Sequence, residues 1–185
     1  MPEEMVIRHC APTLAGIKTG SLFSCPYDSE AQLREDVRAM NRLLVPKGLR
    51  VLALRYHKGL ALIYLYRPDR LGRDLEAPEA AQLLAERGYP CSSPDRCVIR
   101  LMAALRDSQE FPHEIGLFLG YPPDDVAGFI RWGAKHYKCV GDWKVYGDER
   151  RARRLFAQYR ACTQCYQDLW SRGSTVEQLA VRLGA

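Results

Sequence analysis

The residues able to do chemistry concentrate between Phe111 and Tyr146. His113 and Glu114 follow Pro112, which reads as a first helical residue, so both fall in the first turn of an expected helix over 112–119. A helix start stabilises a carboxylate and favours a neutral imidazole. A neutral histidine suits proton transfer or metal ligation, which makes His113 and Glu114 candidate acid/base or ligating groups. Further on, Cys139 is flanked by Lys138 and Lys144, with His136 nearby. Such neighbours favour a thiolate, so Cys139 is a better candidate nucleophile than Cys10, whose neighbour is His9. Lys18, Lys138 and Lys144 supply positive charge for a small anionic ligand or cofactor, and Tyr121 and Trp143 are further candidate ligand-binding residues. The same stretch also has a packing interpretation. Glu114 and Asp124 then complement helix starts, Ile115, Phe118, Phe129 and Ile130 fill a core, and Cys139 is a half-buried strand residue.

Several mechanisms are excluded by their missing motifs. The chain has no Walker-type phosphate loop, no Gly-x-Gly-x-x-Gly and no Gly-x-Ser-x-Gly elbow. His113-Glu114 opens like a zinc-protease motif, but Leu117 stands where the second histidine is required. Cys162 and Cys165, three apart on an expected helix, share a face and form a candidate metal or redox pair. A second pair from Cys91 and Cys97 is loosely spaced, and Cys162 also lies on an apolar stripe, where cysteine is a common core residue.

These groups must be positioned by ordinary elements of one domain, residues 1–185, with 47% hydrophobic and 26% charged residues. The N-terminal run Cys10 to Phe23 is rich in Gly, Pro and small residues and reads as loop, with Ser21 to Ser24 extended. Ser29 and Gln32 have capping-box spacing before a helix lined by Leu33, Val37, Met40 and Leu44. Leu49 to Tyr56 and Leu60 to Arg67 flank His57-Lys58-Gly59 as a β-hairpin, which Pro68 ends. Helices are expected over Pro78 to Arg87, Pro94 to Arg106, Pro123 to Trp132 and Asp148 to Ser171, with one or two short strands between Lys135 and Tyr146. Ser174 and Glu177 read as the capping box of a last helix that turns Val176, Leu179, Ala180 and Leu183 inward. The pattern is an α+β fold with a small, mainly antiparallel sheet covered by about six helices.

The charge balance of 27 basic and 22 acidic residues, net +5, is mild and scattered, so nucleic acid is not an expected partner. The Arg150 to Arg154 cluster follows Asp148 and Glu149 and reads as a solvated helix face. Met1 to Met5 lacks the basic start of a signal peptide, and the longest apolar run, Leu60 to Tyr66, is too short for a bilayer. With seven cysteines and no export signal, reduced thiols in a cytoplasm are the expectation.

The stretch Phe111 to Ile130, followed by Tyr137-Lys-Cys-Val-Gly-Asp-Trp-Lys-Val-Tyr-Gly147, resembles an uncharacterised bacterial domain-of-unknown-function family found largely in anaerobes. The opening Cys10-Ala-Pro-Thr-Leu-Ala-Gly-Ile-Lys18 and the middle Tyr64-Leu-Tyr-Arg67 resemble it too. Asp142 departs from that family, where the position is often aromatic. The resemblance supplies no activity. It implies that Lys18, Arg67, His113, Glu114, Lys138 and Lys144 form a recurring polar set, which fits a site better than a packing role. An anaerobic setting is compatible with redox or iron chemistry. The function expected is a small cytoplasmic enzyme acting on an anionic molecule or cofactor. The alternatives are a metal- or haem-binding protein with His/Cys ligands and an adaptor docking through Trp132, Tyr137 and Trp143.

Overall fold

A computed structural model of the chain describes residues 1–90, 93–107 and 111–183. The architecture is α+β, with a small antiparallel sheet as expected. Two compact groups of residues make it up, Met1–Asp69 with Tyr159–Ala185, and Arg70–Gln158.

The first group is built on three strands, β1 (Gly20–Pro26), β2 (Arg50–His57) and β3 (Leu60–Tyr66), in the order β1-β3-β2. Both pairings are antiparallel. The central strand β3 is apolar on both faces, with Ile63, Tyr64, Leu65 and Tyr66 all buried. Lys58 and Gly59 join β2 to β3 with positive φ at both positions, the turn whose twist matches a two-residue hairpin. Helix α1 (Glu3–Leu14) packs along β1, and α2 (Glu30–Leu44) packs along β2. Ser29 caps α2 by accepting from the Gln32 amide, and Leu33, Met40 and Leu44 go into the core. A single 3-10 turn (Val45–Lys47) follows α2.

Three readings of the N- and C-terminal parts are corrected. The expected loop from Cys10 is the second half of α1, because Val6, Ile7, Cys10, Ala11 and Leu14 recur at helical spacing and are all buried. Pro12 is tolerated in the last turn, where it removes one amide donor and its own carbonyl accepts from Ile17 and Lys18. The final capping box is Thr175 with Gln178 rather than Ser174 with Glu177, and it opens the short α9 (Val176–Leu179). Leu183, expected inward, lies beyond that helix and is exposed.

The second group contains α4 (Pro78–Glu86), α5 (Pro94–Asp107), α6 (Ile115–Phe118), α7 (Pro123–Trp132) and a two-stranded ribbon of β4 (Cys139–Val140) and β5 (Lys144–Val145). Helix α3 (Pro68–Glu76) was not expected. Pro68 does end β3, but a proline that stops a strand also suits the first position of a helix. The long α8 (Glu149–Ser171) belongs to the second group up to Gln158 and to the first from Tyr159. Among the described residues no helix is long and apolar enough to cross a membrane.

Candidate functional site

Helix α7 is the platform for the richest cluster of expected site residues. Pro122 and Pro123 open it, and Gly128 sits on the face that meets the β4–β5 ribbon. A Cβ on Gly128 would lie 2.4 Å from the Tyr146 ring, so only glycine lets the ribbon approach this closely. The ribbon is anchored by Asp125, which is 3% exposed. Its Oδ1 accepts from the amides of Tyr146 and Gly147, each at 2.7 Å, and its Oδ2 accepts from Trp143 Nε1 at 2.6 Å. The local sequence does not mark Asp125 as an anchor. An acid in the first turn of a helix reads as a dipole complement, and nothing local discloses the three donors.

With the ribbon fixed, Lys144 carries its Nζ to 5.3 Å from the centre of the Phe129 ring. His113 meets the same ring edge to face, with centroids 4.8 Å apart and planes at 86°. His113 is exposed, and Phe129 and Lys144 are half-buried. Trp143 turns the other way. It stacks on Tyr121 at 4.6 Å and meets Phe156 at 4.5 Å, while the Tyr121 hydroxyl donates to the Asp142 carbonyl at 3.4 Å. Trp143 is buried, so the exposed aromatic surface expected of an adaptor keeps Trp132 and Tyr137 but loses Trp143. Lys138 donates from Nζ to the Gly147 carbonyl at 2.6 Å, closing the base of the ribbon.

His113 and Glu114 do not lie in the first turn of a helix over 112–119. Helix α6 covers only Ile115–Phe118, and the two residues occupy the turn before it. Glu114 to Leu119 are buried without interruption, so close packing on all sides sets the backbone there rather than one amphipathic face. The neighbouring side chains also diverge. Glu114 is buried and accepts from the Tyr89 hydroxyl at 2.9 Å, with Arg87 Nη1 3.9 Å from its other oxygen. Burial, then the Glu114 charge, holds the Tyr89 phenol well above its ordinary range. His113 thus addresses the half-buried ring of Phe129, and Glu114 an interior hydroxyl.

Lys18 and Arg67 belong to the first group of residues. Lys18 Nζ lies 5.6 Å from the Tyr159 ring centre. Arg67, expected to hold a ligand, is 2% exposed and directs its guanidinium at backbone carbonyls. Nε donates to Thr13 at 2.8 Å, Nη2 to Leu14 at 2.7 Å and to Val181 at 2.8 Å, and Nη1 to Lys47 at 3.3 Å.

The thiols separate by environment. Cys139 is buried on β4, opposite Val145. Burial pushes Cys10 up to about 12 and Cys162 up to about 11, the latter helped by Cys165. Cys165 is exposed. Among the described residues no three His, Cys, Asp or Glu side chains gather as a metal site, and Cys91 lies outside those residues. In a Cys91→Ser background, native protein treated with a thiol reagent near pH ~8 should label at Cys165 first. The Cys165→Ser change should remove the fast phase. Rapid labelling at Cys139 instead would restore it as the reactive thiol.

The fold and this cluster define an α+β protein whose α7–ribbon face gathers a histidine, a lysine and an aromatic ring. The family described as Protein of unknown function (DUF3793) matches residues 6–180, and the chain belongs to that family. No curated protein and no solved structure matches it.

Proposed function

We propose that the protein binds a small anionic molecule over the Phe129 ring and moves a proton on it through His113. The observation that carries this reading is the meeting of His113 and Lys144 at one half-buried ring. A lysine held over a ring is a fixed point charge for an anion, and an exposed imidazole meeting the same ring can give or take a proton. The aromatic floor excludes water from one side of the bound group, which strengthens both interactions.

Pyrophosphate is a suitable probe, followed by the side-chain resonances of the histidines. Titration should shift the His113 signals selectively. His113→Ala and Lys144→Ala should each weaken binding about tenfold or more, the effect of deleting one charge-assisted contact. Their melting temperatures should stay close to that of the parent, because neither side chain is buried. Unaltered binding in both variants would remove the basis for the proposal.

A further inference from the structure

We infer that the anion handled at this face is a nucleotide, a ligand offering a flat ring as well as phosphate. The inference rests on the anion-binding reading above and extends it along the helix. Lys144 and Tyr146, two residues apart, both face α7. Lys144 lies over Phe129, and Tyr146 stacks on Trp132 with centroids 5.7 Å apart. Phe129 and Trp132 are three residues apart on the helix, neighbours on one face separated by roughly 4.5 Å of rise. Each of these rings meets a histidine in a T-shaped contact, Phe129 with His113 and Trp132 with His136, the latter with centroids 6.3 Å apart. The anion site thus continues into a row of rings.

At the end of that row Trp132 keeps 41% of its surface exposed, and Tyr137, in the connection to β4, keeps 43%. Arg131, Lys135 and Lys138 are exposed alongside, and no acidic residue occurs from Val126 to Gly141. The Arg131 guanidinium lies 5.1 Å from the Trp132 ring centre. The connecting backbone is held in place. The Tyr146 hydroxyl donates to the Gly133 carbonyl, the Lys135 amide to Trp132 at 3.1 Å and the Lys138 amide to Val145 at 2.7 Å. His136 keeps a left-handed φ of 62° within that segment. A connecting backbone already held in place lowers the ordering that a ligand must impose. A bare inorganic anion would use the cations and leave the rings idle. Nucleotide chemistry uses both, through base stacking and phosphate contact. Free nucleotides and single strands share that chemistry, whereas a duplex hides its ring faces.

The test compares pyrophosphate, ADP and a single-stranded adenine oligonucleotide of about ten residues on the full chain and on Trp132→Leu and Tyr137→Leu. ADP should bind about tenfold more tightly than pyrophosphate, and each variant should bring ADP down to the pyrophosphate level without altering pyrophosphate binding. Should Trp132→Leu unfold, Tyr137→Leu carries the test, since its ring is open to solvent. Oligonucleotide binding stronger than ADP, with a steep salt dependence, supports the inference and assigns the source to single strands. ADP binding with no gain from the oligonucleotide supports it and assigns free nucleotides. Equal affinity for ADP and pyrophosphate in every variant overturns the nucleotide assignment and leaves anion binding standing. No binding of any probe overturns both.

Discussion

Replacing Arg67 by alanine is expected to lower the melting temperature by roughly 6–20 °C, through a stability loss of about 3–5 kcal/mol. The guanidinium is buried and donates to four backbone carbonyls, those of Thr13, Leu14, Lys47 and Val181. Two of them belong to the last turn of α1, whose end leaves carbonyls without helical partners and carries the negative pole of the helix. Lys47 closes the 3-10 turn after α2, and Val181 follows α9. One side chain therefore ties together the ends of three segments. Bonds from a charged donor contribute about 1.5–3 kcal/mol each, but four acting as one unit do not add.

Lysine should not restore the loss. Its ammonium is a single point of donation and cannot span acceptors that the planar fork reaches from three nitrogens. Denaturant unfolding of the parent, Arg67→Ala and Arg67→Lys measures the effect directly. The same proteins titrated with pyrophosphate separate this role from ligand binding. Preserved stability in Arg67→Ala together with lost binding would return Arg67 to the ligand-binding set.

That contrast marks how far the sequence could be read. Where a signal is local, the elements came through. Pro123 as a first helical residue placed α7 at Pro123–Trp132, and His57-Lys58-Gly59 placed the hairpin turn. Helix α1 was hidden by Pro12 and the small residues around it, which outweighed a buried stripe that has clear helical spacing. Arg67 and Asp125 could not be interpreted locally at all. The acceptors of Arg67 lie 20 to 114 residues away and the donors to Asp125 lie 18 to 22 away. A charged residue seen without those partners suggests a ligand or a helix dipole, and here long-range packing decides its role. His113 and Lys144 were legible as chemical types, but their shared ring was not. It follows from Asp125 and Gly128 setting the ribbon on α7.

For Asp125→Ala the expected loss is about 3–4 kcal/mol, with the damage concentrated in the β4–β5 ribbon. The carboxylate satisfies three donors at once, two backbone amides and the indole of the buried Trp143. Alanine leaves all three without acceptors and leaves the side-chain space unfilled. Asparagine keeps the shape but offers one oxygen and one amide, so a donor faces a donor on one side. A loss of about 2 kcal/mol or more is expected there, since one buried bond is replaced by a repulsive contact. Because Lys144 reaches Phe129 from this ribbon, both variants should also weaken anion binding, although Asp125 is directed at the protein's own donors. Hydrogen exchange at the Tyr146 and Gly147 amides is the decisive measurement. Those two amides should lose protection far more than the amides of β3, which belong to the three-stranded sheet. Protection unchanged at 146 and 147 would mean that the ribbon is held by Gly128 packing and the rings alone, and Asp125 would then be only a helix-start acid.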